Sequence, residues 1–381
     1  MPTDLNPDIL VQAIDDKITA VRTGSLDFSF NELADMHKAG ELVIDPEFQR
    51  MFRWSDGAQA RFIESLLLEL PVPPIFLIER EDRIYELIDG LQRVSSFLHF
   101  RGELWIDGEY LDPLVLSDCD IVRELNGYTY ADLPRSLEIK LKRSYIRAEI
   151  LRKESDARLR YYMFKRLNTG GEILSFQEVR NATIRLLSND FNQFIIELSK
   201  NADFALCTAI ISEAARKRRF DQELVLRFFA FKNNMASYVH DVADFLTEYM
   251  ESVSDPATDV GLDYSAERAI FERTFRVLRL ISEHLQIESR IFGTVVGSNP
   301  DPRGQFSVYH YEGLVLGLQR VIEQVDATSA EHIAALSEVV RVGKADAAFL
   351  QHTGAGKNQR SSLQERMNYF GTRFEAALSG L

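Results

Sequence analysis

Cysteine is nearly absent from this chain: two residues, Cys119 and Cys207, among 381. They stand far apart, so neither a disulfide framework nor a thiolate metal site is supported, and both read as buried reduced thiols. Histidine is sparse too, with seven residues and no H-x-x-x-H or C-x-x-C spacing, which argues against a tight transition-metal site. No apolar run approaches the roughly eighteen residues needed to cross a bilayer. The opening Met1-Pro2-Thr3-Asp4 lacks the basic segment and apolar core of a signal peptide. These absences lead us to expect a cytoplasmic protein without membrane attachment. An excess of positive charge is missing as well. At a net −14 the chain is unsuited to coating nucleic acid with its whole surface. What is present is ordinary globular composition, 45% hydrophobic and 27% charged, over a length that accommodates two domains. There is no repeat of fixed period and no low-complexity tract.

The most informative stretch is Ile88-Asp89-Gly90-Leu91-Gln92-Arg93. Upstream, Arg83 to Ile88 is rich in apolar and aromatic residues and predicts a buried strand. Downstream, Val94, Phe97, Leu98 and Phe100 fit a helix with one buried face. Asp89 and Gly90 therefore occupy a strand-to-helix corner, where glycine permits a tight turn and the first helical N–H groups lack partners. Such corners hold anions. Acid, amide and guanidinium together offer a metal ligand or base, a positioner and a phosphate clamp. The same turn also has a purely structural use, with the acid capping the helix. Two further segments share its chemistry. One is Ile44 to Trp54, which contains Gln49-Arg50. The other is Phe164-Lys165-Arg166-Leu167-Asn168-Thr169-Gly170-Gly171, followed by Leu174-Ser175-Phe176-Gln177-Glu178-Val179-Arg180-Asn181.

In this order the three segments resemble the family of the GmrSD-type restriction endonuclease N-terminal domain, known by an Asp-Gly-Gln-Gln-Arg signature. The shared patterns are P-x-[FY]-Q-R-x-[FY]-x-W at Pro46 to Trp54, P-x-P at Pro71 to Pro73, I-D-G-x-Q-R at Ile88 to Arg93, F-x-R-[IL]-N at Phe164 to Asn168, and L-S-x-x-E-x-R-N at Leu174 to Asn181. Leu91 departs from the signature, standing where the family usually has its first glutamine. The resemblance covers about residues 25 to 240. It implies a ParB/sulfiredoxin-like fold and nucleoside triphosphate chemistry with Mg²⁺. On that reading Asp89, Gln92 and Arg93 form the catalytic set, with Asp89 also the metal ligand. Gln49, Arg50, Gly90, Arg166 and Asn168 bind the nucleotide. Arg50 and Arg93 would clamp phosphates, and Gln49 and Gln92 would position the substrate.

Organisation changes once along the chain. Helical spacing marks residues 5–23 and 31–37, and a helix to Leu70 capped by Ser55 or Asp56 with Phe62, Ile63, Leu66 and Leu67 inward. Prolines 71, 73 and 74 stop it. Strands follow at 75–78, paired through a Glu81-Asp82 turn with the signature strand, and at 144–151, before a helix at 155–167. After Ser175 the spacing is helical throughout, in eight segments. The expected fold class is α+β: a mixed α/β nucleotide-binding domain over 1–170, then an all-helical domain over 171–381. Between Pro134 and Arg166, eleven basic residues face four acids. That excess suits a polyphosphate pocket or a nucleic-acid backbone. A solvated strand edge and helix face accounts for it equally, and both readings stay open.

Other motifs fall short. Glu331-His332-Ile333 begins like an HNH nuclease site, found in a C-terminal domain of longer relatives, but the helical Ala334-Ala335-Leu336 follows. The chain therefore reads as a stand-alone form without that nuclease. Gly354-Ala355-Gly356-Lys357 lacks full phosphate-loop spacing. Three functions remain open. The resemblance implies an NTP-hydrolysing regulatory component of a bacterial anti-phage or restriction system. The alternatives are a non-catalytic nucleotide sensor or neutralising partner of a separately encoded effector, and a DNA nickase. The expected partners are an NTP, nucleic acid along 134–166, and an effector or a second copy of the chain.

Overall fold

The computed structural model describes residues 9–12, 14, 22–44, 49, 52–106, 108–153, 175–185, 187–239, 241–258, 260–287, 289–295 and 302–381. The chain divides into two compact units, Met1–Ile173 and Leu174–Leu381. A mixed α/β region with a sheet is followed by a helical half, which is the α+β class expected from the pattern.

In the first unit the strands are β1 (Thr23–Ser29), β2 (Leu42–Val43), β3 (Ile75–Glu79), β4 (Tyr85–Asp89), a small β5–β6 hairpin (Trp105–Ile106, Glu109–Tyr110) and β7 (Tyr145–Leu151). The helices are α1 (Phe30–Ala39), α2 (Asp56–Leu67), α3 (Leu91–Phe100) and α4 (Arg135–Arg143). The main sheet runs β1-β7-β3-β4-β2. β1 is antiparallel to β7, β7 parallel to β3, β3 antiparallel to β4 and β4 parallel to β2. The helix ends follow local chemistry. Ser29 Oγ accepts from Glu32 N–H at the start of α1, and Gly40 at φ 75° closes it. Ser55 Oγ does the same for Ala58 N–H in α2, whose Phe62, Ile63, Leu66 and Leu67 are buried as the spacing predicts. α2 stops at Leu67 with Glu69 left-handed at φ 58°, just ahead of the prolines. Phe30 packs against both Phe62 and Phe97, at ring separations of 5.9 and 5.0 Å, joining three helices in one core.

β1 and α4 were not foreseen. β1 buries only Phe28 and α4 only Leu141, so neither shows an apolar stripe. Of the expected first helix, residues 9–12 and 14 are helical; the helix expected at 155–167 lies outside the described residues.

The second unit contains α5 (Phe176–Ile184), α6 (Asp190–Ser199), α7 (Ala202–Cys207), α8 (Glu213–Lys217), α9 (Phe220–Asn234), α10 (Val242–Ser254) and α11 (Tyr264–His284). A two-stranded ribbon, Gly293–Val295 with Pro302–Phe306, interrupts the helices. Then come α12 (Val308–Leu318), α13 (Ala330–Gly343), α14 (Ala347–Leu350) and α15 (Arg360–Ser379). The periodicity after Ser175 thus reads correctly as helical, with the ribbon and the three short helices α7, α8 and α14 added to it. Cys119 and Cys207 are buried free thiols.

Candidate functional site

The Asp89 corner forms as the residue pattern predicts. β4 ends at Asp89, Gly90 turns the chain at φ 102°, and α3 starts at Leu91. Glycine is required twice over: a Cβ here would lie 2.3 Å from Ile75 Cγ2, and the backbone is in the left-handed region. No side chain caps α3. The acid is therefore not a helix cap. Its Oδ2 instead accepts from Arg93 Nη2 at 3.0 Å, one turn into α3. The same Nη2 donates to the Pro74 carbonyl at 3.1 Å. Arg93 is only 15% exposed, Asp89 37%. Arg93 Nε is buried with no hydrogen-bond partner among the described residues.

Gln92 is engaged by the backbone. Its Oε1 accepts from the backbone N–H groups of Arg53 and Trp54, both at 3.0 Å. It pins Arg53 and Trp54 to α3. Gln49 is drawn elsewhere: its Nε2 donates to the Trp105 carbonyl at 2.6 Å, on the β5–β6 hairpin. The structure thus brings Asp89, Gly90 and Arg93 together, attaches Arg53 and Trp54 to the same helix through Gln92, and turns the Gln49 side chain toward the hairpin. Arg50, Arg166 and Asn168 lie outside the described residues.

Sequence reasoning missed His99. Gln59 Nε2 donates to the Trp54 carbonyl at 2.9 Å, and its Oε1 lies 2.8 Å from His99 Nδ1. His99 Nε2 lies 2.9 Å from the Asp112 carbonyl. Phe52 meets the imidazole edge-to-face at 6.5 Å. Burial holds the imidazole pKa below its ordinary value, opposed by the Asp112 carbonyl and the Asp56 charge. His99 and Gln92 together fasten both ends of residues 52–54. No sequence motif marks this, because His99 sits among the apolar residues of α3 with nothing to separate it from a packed side chain.

The Leu174–Asn181 motif is architectural. Ser175 and Glu178 form a capping box at the start of α5. Arg180 is buried, donating to Gln177, to the Ala243 carbonyl and to Thr247 at 2.8, 3.0 and 3.1 Å. Asn181 donates to Gln222 and accepts from Gln177. His332 lies at the start of α13, its Nδ1 accepting from the Asp326 N–H, as befits a helix residue rather than a nuclease centre.

The end of β4 is thus a strand–glycine–helix corner with a paired acid and arginine. Residues 30–185 match the family model described as the GmrSD restriction endonuclease, N-terminal domain. This agrees with the resemblance carried by the motifs. No curated protein and no solved structure matches the chain. Among the described residues no three His, Cys, Asp or Glu gather to hold a metal ion, and no helix is long and apolar enough to cross a membrane.

Proposed function

We propose that the first unit binds a nucleoside triphosphate at the Asp89–Arg93 corner and hydrolyses it, as the regulatory component of a restriction or anti-phage system. The observation that carries this reading is the arrangement at Gly90: a carboxylate and a mostly buried guanidinium held 3.0 Å apart at an uncapped helix start. Arg93 and the first turn of α3 receive phosphate oxygens. Gln92 keeps Arg53 and Trp54 beside them, so it is a positioning residue. Asp89 keeps its Oδ1 available, a hard oxygen donor on a part-exposed residue, and this fits Mg²⁺, which commonly takes one or two carboxylates and completes its shell with phosphate and water. Asp89 would hold the ion, which supplies charge neutralisation when bound.

A second reading, binding without turnover, draws on two occupied acceptors. Asp89 Oδ2 is bonded to Arg93 and Gln92 Oε1 to two backbone N–H groups, so of these side-chain oxygens Asp89 Oδ1 is left to orient an attacking water. In that case the protein reports nucleotide to a separately encoded effector or to a second copy of itself. The experiment is calorimetric titration of the full chain with each of the four NTPs, with and without Mg²⁺, and phosphate release measured in parallel. Asp89→Ala should abolish turnover while the fold persists. Arg93→Ala should weaken binding roughly ten- to a hundredfold, the value of a charge-assisted phosphate contact. Binding without any phosphate release establishes the sensor reading, and absence of binding by all four NTPs removes both.

A further inference from the structure

A groove of about 980 Å³ in the first unit lies between α4, the start of β7 and the Leu70–Pro74 turn, bordering the corner at Pro74. We propose that it binds a single nucleic-acid strand. Three cations line it, Lys140, Arg143 and Arg147, in a chain whose net charge is −14. α4 itself carries four cations and one acid, Glu138, which Arg135 and Lys142 already engage. Two acids share the groove. Asp27 pairs with Arg147 across the β1–β7 register at 3.0 Å, and Glu69 holds Lys140 at 3.2 Å. Arg143 is exposed and has no acidic partner among the described residues. Beside it Tyr145 is 68% exposed, an unusual position for an aromatic ring, and Leu70, Pro71 and Val72 supply an apolar wall.

Cations along a groove with an exposed aromatic ring inside it are the recipe for single-strand binding. Guanidinium and ammonium groups follow the phosphates, and a base stacks on the ring. A duplex keeps its bases stacked on one another and gives Tyr145 nothing to hold. Arg147 and Lys140 are surface ion pairs, each weakly held and exchangeable for a phosphodiester. Pro74 borders both places, lining the groove while its carbonyl accepts from Arg93. The groove and the nucleotide corner are therefore neighbours with separate residues, and this inference stands independently of NTP binding.

The test is fluorescence anisotropy of a labelled twelve-nucleotide oligothymidylate and its RNA counterpart with the full chain, from low to physiological salt. Arg143→Glu should weaken binding at least tenfold at low salt and make the slope of log affinity against log salt shallower by roughly 0.7–1.4. Tyr145→Ala should weaken it roughly five- to a hundredfold with the slope unchanged. Glu69→Gln, which releases Lys140, should tighten it. DNA and RNA binding alike supports the phosphate-and-stacking mode, and a preference for one identifies the source without altering the site. Wild-type affinity in all three variants overturns the proposal. So does a duplex that binds as tightly with Tyr145→Ala silent, or a strand fully displaced by NTP and lost in Arg93→Ala, which would place it at the corner.

Discussion

Replacing Gly90 by alanine tests the corner at its most constrained atom. Two costs apply. The backbone at φ 102° is strained for any residue with a Cβ, about 1–2 kcal/mol. The new methyl would stand 2.3 Å from Ile75 Cγ2, whose side chain is fully buried, and relieving such a clash costs about 1–3 kcal/mol. Together the expected loss is about 2–5 kcal/mol, a large part of the stability of a typical domain, about 5–15 kcal/mol. Urea unfolding of the full chain by tryptophan fluorescence measures it cleanly, because Trp54 and Trp105 are the only two tryptophans and both belong to the first unit. The two costs separate in a double-mutant cycle. Ile75→Ala removes the nearer clashing carbon, Cγ2, leaves the Ile75 Cβ at 2.9 Å, and by itself costs about 2–5 kcal/mol. Combined with Gly90→Ala, the losses should fall short of additivity by about 1–3 kcal/mol, leaving behind the dihedral cost and the residual 2.9 Å contact with the Cβ of residue 75. A Gly90→Ala protein within about 0.5 kcal/mol of the parent, or a strictly additive cycle, refutes the geometry of the corner.

The second unit offers a pH prediction from Lys344, whose Nζ is buried against the Ile291 carbonyl at 2.6 Å; burial lowers its pKa from 10.5 to about 7. The folded form then holds fewer protons than the unfolded one between those values, so stability should rise with pH from about 7 to 10.5, and Lys344→Met should flatten that rise and add up to about 5 kcal/mol at pH 7, read by calorimetry. His310 has both ring nitrogens buried without a well-formed hydrogen bond. Burial first, then the Lys344 charge, lowers its pKa from 6.5 to about 3. Stability should therefore be lost as pH falls through that window, and His310→Phe should remove the loss. Gln92→Ala deprives the Arg53 and Trp54 amides of their acceptor, which should cost roughly 1–3 kcal/mol and shift Trp54 emission to the red, while an unshifted spectrum contradicts the pinning role.

The strand, corner and helix around Asp89 were legible because burial, turn chemistry and helical spacing agree there. α2 was legible to its cap for the same reason. β1 was not, since an edge strand with Leu26 and Asp27 outward and only Phe28 inward carries no alternation that a reader can trust. α4 was hidden by its charge: one buried leucine in nine residues resembles a solvated loop. At the site, residue type showed that Gln92 mattered but not how. An amide serves a substrate or a backbone equally well, and only the fold brings the Arg53 and Trp54 amides to its oxygen. The L-S-x-x-E-x-R-N segment shows the converse. Its motif is specific, yet its chemistry is a helix cap and a buried clamp on Arg180, both readable from a capping-box pattern that any helix start could carry.

The pairing of Asp89 with Arg93 sets how a triphosphate is received. A polyanion approaching Arg93 meets the Asp89 carboxylate 3.0 Å from the same guanidinium, so the pair presents no net charge and the acid repels the ligand that the arginine attracts. A cation on Asp89 reverses that balance and leaves Arg93 to the phosphates. Asp89→Asn keeps an oxygen for Arg93 and the volume of the side chain while removing the charge. In the unaltered chain, NTP affinity should depend strongly on Mg²⁺. In Asp89→Asn, affinity without Mg²⁺ should rise above that of the unaltered chain, the Mg²⁺ dependence should shrink, and phosphate release should cease. Calorimetry with and without chelator reads both arms. If Asp89→Asn binds NTP no better without Mg²⁺ and retains the full Mg²⁺ dependence, then the acid neither repels the phosphates nor holds the ion, and its part at the corner is only to fix Arg93.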